Sequence, residues 1–375
     1  MPGGTAADRF GGKWLFGVPV LLSSVVSLLT PAAARVHINL LITLRVLSGL
    51  GDGLMLPAVY PMIARWTAPR HHSLVVSVIF AGEDAGIIVG LLLSGVLCDF
   101  GFAGGWPSVF YVFGLAGCLF SVLWFLLCYD SPQAHPRISR AELAYWESVV
   151  DVDDAASDGR RRPTPWREIL TSVPVWALSA ALFADVFFYF TMAACLPLFM
   201  HDVLGVNMTK NGVLSTVPFV ASLLFLPFIG VTVDSLRAPG RLSTTFVRKA
   251  ACVVGCSLAG AFLVLAGFVG CSVFLVVTHM SVAVVGSCVT FTTVEVNQLD
   301  LATRHAGKIM GLTSTVGFLG AIGGPLAVGV LTYEQSTFYE WRQVFFLTAA
   351  ILAIGAAAYA IFGSGERQKW ADAAE

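Results

Sequence analysis

Residues 174–200 read PVWALSAALFADVFFYFTMAACLPLFM, twenty-seven residues with a single side chain that is ordinarily charged at neutral pH, Asp185. A hydrocarbon core about 30 Å thick needs about 20 helical residues to cross it, so this run can span a bilayer. Nine other stretches share its character, at about 14–34, 38–64, 73–98, 107–129, 211–234, 247–268, 271–296, 306–332 and 342–363. Inside lipid each backbone amide must bond within its own segment, so all ten are predicted to be helices. A barrel would need short alternating strands, which the sequence lacks. Composition agrees: 57% of the residues are hydrophobic and 12% charged, against a soluble norm of about 25% charged. The fold class is an all-α polytopic membrane protein whose solvent is the lipid bilayer.

Eighteen of the twenty-two Lys and Arg residues fall in every second gap between the apolar stretches. The other gaps and their borders hold only Arg35, Lys210 and Arg342, and Arg45 alone lies deep inside a stretch, since Arg248, Lys249, Lys308 and Arg342 fall within the first three residues of theirs. Lys and Arg are disfavoured in translocated loops, so the rich set is assigned to the cytosol together with both chain ends. The start of the chain resembles a signal peptide, with Arg9, Lys13, an apolar run and Ala32-Ala33-Ala34. Its apolar run is too long for the usual h-region, so it is read as a retained helix. The net charge of −1 says nothing about nucleic acid, but no Lys/Arg stripe on a soluble domain suggests one, so no nucleic-acid partner is expected. The eight cysteines lie mostly within apolar stretches with no Cys-x-x-Cys, and read as small buried hydrophobes rather than metal ligands.

The one long polar segment is 131–172, with Asp151, Asp153, Asp154, Asp158, Arg160-Arg161-Arg162 and several prolines. It cannot bury a core and reads as a cytosolic linker. It divides the chain into an N-terminal bundle at 1–130 with four helices and a C-terminal bundle at 173–375 with six and a short tail. Transporters built from repeated halves usually have equal halves, so the first half is two helices short.

An ionisable residue at mid-bilayer costs at least about 2.5–3.5 kcal/mol on insertion scales, so each needs a partner or a cavity. Arg45 and Asp52 lie two turns apart on one predicted helix and share a face, about 10 Å apart along the axis. Arg45 stays charged and can hold a carboxylate or phosphate bidentately. Asp52 can exchange a proton when desolvated. The competing reading is a buried pair that only locks helices together. Glu83 and Asp84 are adjacent, so at most one faces a cavity, and Glu83 is the favoured proton-coupling residue. Gly82, Gly86 and Gly90 flank them at a spacing that lets another backbone approach. Asp185 and Glu295 are further cavity candidates, each with the alternative of pairing with an arginine. His279 reads as a satisfied buried imidazole. Glycines at 307, 311, 317, 320, 323 and 324 followed by Pro325 suit either a rocking helix or a static tight crossing.

Several runs carry a family likeness. Gly3-Gly4-x-x-Ala7-Asp8-Arg9-Phe10-Gly11-Gly12-Lys13 resembles the loop between helices two and three of the major facilitator superfamily, a loop implied to control its conformational change. Arg45-x-x-x-Gly49-x-Gly51-x-Gly53 resembles its fourth-helix signature. Ser131-Pro132-x-x-His135-Pro136-x-Ile138-Ser139-x-x-Glu142 and Pro165-Trp166-x-x-Ile169-Leu170-Thr171-Ser172-x-Pro174-Val175 are more specific. So are Val296-Asn297-Gln298-Leu299-Asp300-Leu301-Ala302-Thr303-Arg304-His305-Ala306-Gly307 and Gly365-Glu366-Arg367-Gln368-Lys369-Trp370-Ala371. Together they resemble the anion:cation symporter family of sialin, the vesicular glutamate transporters and the type I sodium–phosphate cotransporters.

The resemblance implies a two-bundle fold of twelve helices, ten of them present here, with alternating access. It implies transport of a small anionic solute, an organic anion or phosphate, coupled to H⁺ or Na⁺, in the plasma membrane or a lysosomal or vesicular membrane. Arg45 matches the family arginine implied to meet the anion. Asp52 stands where the family usually has glutamate. Asp185 stands where vesicular glutamate transporters have arginine, which argues against glutamate and favours sialin-like or phosphate-type substrates, with a vesicular glutamate-type transporter as the alternative. Gln298 replaces the usual histidine and Thr303 the usual proline. The chain starts in the loop after helix two of that pattern, so a second expectation is a truncated, non-transporting member. Asn207-Met208-Thr209 is a glycosylation sequon on the positive-poor side. No zincin, nucleophile-elbow or phosphate-loop motif occurs in the sequence, so neither an enzyme nor a cofactor is expected.

Overall fold

The computed structural model describes residues 12–53, 72–143, 166–236, 242–270, 272–302, 306–333 and 336–368, with Met55, Met62, Trp66 and Trp370. Its elements are α1 (Gly12–Val36), α2 (Ile38–Asp52), α3 (His72–Phe100), α4 (Trp106–Leu127), α5 (Trp166–Thr171), α6 (Val173–Asp202), α7 (Met208–Leu236), α8 (Thr244–Ala266), α9 (Val273–Leu301), α10 (Ala306–Leu331) and α11 (Phe338–Phe362). Among the described residues nine helices, all but α2 and α5, are long and apolar enough to cross a membrane. Helix α2 is described over 15 residues. Most of the stretch predicted beyond it to residue 64 lies outside the described residues, as do Asp8, Arg9 and the acidic part of the linker.

Contacts divide the chain into two units, Met1–Ala81 with Leu97–Arg162 and Gly82–Val96 with Pro163–Glu375. In the first unit α1 packs on both α2 and α4. The start of α1 is tied to the end of α4: the Lys13 amide donates to Asp130 Oδ1 at 2.8 Å, and Trp124 Nε1 donates to the Lys13 carbonyl at 3.0 Å. The turn from α3 into α4 passes Gly104 and Gly105 at φ of 92° and 89°, a conformation that glycine adopts without a steric penalty.

The second unit holds most of the buried core. Helix α6 packs on α10 and α11, α9 on α7 and α8, and α8 on α11. Phe199 lies 5.1 Å from Trp341 and 5.3 Å from Phe345, ring centre to ring centre. Helix α11 opens on a capping box in which Thr337 and Glu340 bond each other's backbone amides, satisfying two amides that the helix itself cannot. The glycine-rich α10 crosses α6 at close range. A Cβ on Gly320 would stand 2.5 Å from the Phe183 carbonyl oxygen of α6 and 2.9 Å from the Phe187 nitrogen.

The middle of α3 belongs to this second unit. It crosses α7 at Gly95, where an added Cβ would stand 2.7 Å from the Met208 carbonyl oxygen and 3.0 Å from Gly212 Cα. Among the described residues of this unit, the close approach expected along Gly82, Gly86 and Gly90 is not where the helices meet. A Cβ on any of those three would have nothing within 4 Å among the described residues. Glycine spacing permits a close crossing without choosing which small residue makes it.

Candidate functional site

In the first unit the polar residues gather where α1 faces α2. Arg45, Ser48 and Asp52 recur at helical spacing, so α2 presents them along one side. The Ser23 hydroxyl of α1 donates to Asp52 Oδ1 at 2.6 Å and lies 2.7 Å from the Ser48 hydroxyl. The Ser48 hydroxyl lies 3.4 Å from Asp52 Oδ2, a marginal second contact. Ser48 is buried, whereas Arg45 and Asp52 are exposed. The Arg45 guanidinium lies over the Phe110 ring of α4, 5.4 Å from its centre. Arg45 forms no ion pair among the described residues. The buried-pair alternative for Arg45 is therefore not what the described residues contain. A guanidinium on an aromatic face keeps its five N–H donors free for a planar anion.

In the second unit the ionisable residues are held differently. Asp84 is buried, and Glu83 beside it is exposed. Tyr189 of α6 donates to Asp84 Oδ1 at 2.8 Å, and Ser222 of α7 donates to Asp84 Oδ2 at 2.8 Å. The Ser222 hydroxyl also lies 2.8 Å from Cys288 Sγ of α9. Asp185 is buried in α6, where Ser287 of α9 donates to its Oδ1 at 2.7 Å. Glu295 accepts from Gln298 Nε2 at 3.1 Å, which gives this unusual glutamine a direct partner. Asp185 and Glu295 lie within electrostatic reach of each other. Neither forms an ion pair with an arginine among the described residues.

Among the described residues of this unit the buried cation is Arg248 of α8, whose Nε donates to Asp300 Oδ2 of α9 at 2.9 Å. Asn297 bonds the Tyr359 hydroxyl at 2.6 Å and the Ser364 carbonyl at 3.0 Å. The tail is tied to the same end through Gln368, whose amide donates to the Leu301 carbonyl at 2.9 Å. His279 is half-buried, and its Nδ1 lies 2.6 Å from the Leu275 carbonyl, so the imidazole has a partner without the full burial expected of it. Asn207 is exposed, and its side chain accepts from the Lys210 amide at the start of α7, at 3.0 Å.

The partners of the predicted acids escape a reading of the sequence. Ser23, Tyr189, Ser222, Ser287 and Cys288 come from other helices, and nothing in their spacing announces the pairing. The available signal is a hydroxyl in an otherwise apolar helix, which lipid disfavours unless it is bonded.

The sequence profile of the Major Facilitator Superfamily matches residues 1–325. An uncharacterized transporter of Caenorhabditis elegans, slc-17.2, is 39% identical over 98% of this chain and 75% of its own length. Human sialin is 36% identical over 99% of this chain and 73% of its own length. Zebrafish vesicular glutamate transporter 3 is 35% identical over 99% of this chain and 62% of its own length. Among solved structures, a bacterial homolog of the human lysosomal transporter Spinster, inward-facing and unoccupied, superposes with a TM-score of 0.71 at 15% identity. It covers 96% of this chain and 84% of its own. The chain is thus a multi-pass membrane protein of the major facilitator superfamily and belongs, within it, to the family of sialin and the vesicular glutamate transporters.

Proposed function

We propose that the chain is a secondary active transporter of organic anions or phosphate, driven by H⁺ or Na⁺. The observation that carries this reading is Arg45. It is a permanent cation in an apolar helix, exposed, resting on Phe110 and free of any ion pair among the described residues. A cation kept open in such a segment is suited to an anionic solute. The names of two relatives, sialin and vesicular glutamate transporter, point to anionic solutes as well. Asp52 is assigned proton coupling, since Ser23 and Ser48 can bond its carboxyl whether or not it carries a proton. Glu83 is a second coupling carboxylate, and Asp185 and Glu295 belong to a solute or ion cavity. Asp185 sets a negative charge where glutamate carriers are implied to have arginine, so a sialic-acid-like solute or phosphate is favoured over glutamate. Both termini are assigned to the cytosol, 131–172 to a cytosolic linker between the two bundles, and the Asp8-Arg9 loop to the conformational change.

Uptake of labelled sialate, phosphate and glutamate into proteoliposomes holding this chain tests the reading. Accumulation of sialate or phosphate under an imposed H⁺ or Na⁺ gradient is expected. A protein that binds the membrane and folds, yet accumulates none of the three under either gradient, defeats it.

A further inference from the structure

We propose that Asp84 is a proton-carrying residue of the second unit, binding and releasing H⁺ within a hydrogen-bonded chain that runs Tyr189–Asp84–Ser222–Cys288. The chain joins four helices: α6, α3, α7 and α9. Its links are 2.8 Å from Tyr189 to Asp84, 2.8 Å from Ser222 to Asp84 and 2.8 Å from Ser222 to Cys288. Asp84 is 6% exposed and Ser222 is fully buried. No lysine, arginine or histidine pairs with Asp84 among the described residues. A carboxylate in such a place has only neutral dipoles to offset its charge, and taking up a proton removes that cost.

The chain can satisfy its atoms in either state without moving a heavy atom. When Asp84 is ionised, Tyr189 and Ser222 donate to its two oxygens, and the Cys288 thiol donates to Ser222. When a proton arrives on Oδ2, the carboxyl donates to Ser222, and Ser222 turns its own proton toward Cys288 Sγ. Tyr189 still donates to Oδ1. Only hydroxyl and thiol rotors change, because Ser222 and Cys288 are each donor and acceptor. The same atoms discriminate against Na⁺. Both carboxylate oxygens already face O–H donors, and the remaining neighbour is sulfur, a poor ligand for a hard cation.

Among the described residues, the ionisable groups within electrostatic reach of this chain are acids. Glu83 on α3 lies within electrostatic reach of Tyr189 and of Glu295 on α9, and Cys288 lies within reach of Asp185 on α6. Ser222 is the group that α7 brings to the carboxylate. Hydrogen bonds to an ionised acceptor are about twice as strong as neutral ones. Losing the proton therefore tightens the grip of α6 and α7 on α3, about three turns along α3 from the glycine crossing at Gly95 and Gly212. Gaining it loosens that grip. The consequence for solute movement rests on the transporter reading above, whereas proton binding itself does not.

Infrared difference spectra of the purified chain in lipid nanodiscs, recorded between acid and neutral pH, test the assignment. A protonated-carboxyl stretch is expected that Asp84→Asn removes and Glu83→Gln leaves in place. The asparagine can accept from Tyr189 and donate to Ser222, so folding is retained, as a thermal melt checks. Tyr189→Phe should move the band to higher wavenumber, because the carbonyl loses a donor; a merely structural carboxylate would show no such shift. Replacing Na⁺ by K⁺ should leave the band unchanged. A band that survives Asp84→Asn and vanishes in Asp185→Asn or Glu295→Gln overturns the proposal, as does a band that titrates with Na⁺. In proteoliposomes, anion uptake by Asp84→Asn should lose its pH dependence. Unaltered pH dependence would sink the coupling role and leave the transporter reading standing. Absence of uptake by the unaltered chain would sink the transporter reading, and the infrared band would still decide Asp84.

Discussion

Three buried charges of the second unit contrast with two open ones of the first. On α2, Arg45 and Asp52 are exposed, one lying on an aromatic ring and the other bonded to two serines. On α3, α6 and α8, Asp84, Asp185 and Arg248 are buried, each bonded to a side chain from a different helix. A buried ion with fixed partners is committed to the protein, because removing a partner leaves a costly charge behind. An ion left open is available to something outside. The contrast separates residues suited to meeting a solute from those suited to holding helices or carrying a proton.

Arg45→Ala gives the largest contrast between function and folding. It should reduce anion uptake in proteoliposomes to background while leaving the melting temperature near that of the parent, since no ion pair is lost. Arg45→Lys should recover only part of the uptake, because a point charge cannot replace a planar fork. Parent-level uptake by Arg45→Ala would erase the distinction between the units.

Arg248→Ala should do the reverse, costing about 3–5 kcal/mol of stability by removing one partner of a buried pair. A denaturant or thermal titration in detergent measures it; a stability equal to the parent's would show the pair to be dispensable. Gly320→Leu comes next. Its side chain must enter the space held by Phe183 and Phe187 of α6, and overpacking of this kind costs about 1–3 kcal/mol. The same change at Gly86, with nothing within 4 Å among the described residues, should be nearly silent in the same melt.

The smallest effect is expected at Ser23. Ser23→Ala removes the 2.6 Å bond to Asp52, worth about 1.5–3 kcal/mol when the acceptor is charged. Only a fraction of that should appear, because Asp52 is exposed and water can replace the serine. A small shift in the pH profile of uptake with unchanged stability would mark Asp52 as a coupling group, and an unchanged profile would remove it.

Much of the fold was legible before any coordinates. The run at 174–200 becomes α6, Val173–Asp202, and the run at 342–363 becomes α11, Phe338–Phe362. Lipid permits few structures, and length and hydropathy are properties of a local window. The candidate residues were legible as a set for the same reason, since a charge in an apolar run stands out.

Which member of the set does what was not legible. Glu83 and Asp84 are neighbours of the same chemistry, yet Asp84 alone is buried against Tyr189 and Ser222. Nothing local distinguishes them, because the choice depends on how α3 is rotated against α6 and α7. Likewise the glycine ladder at 82, 86 and 90 outweighs Gly95 as a pattern, and Gly95 makes the crossing. The sequence by itself determined that this chain lies in a membrane as helices, which lipid demands of any long apolar segment. Tertiary structure alone decided which charge stays open and which is enclosed, since a side chain's partners come from helices remote in sequence.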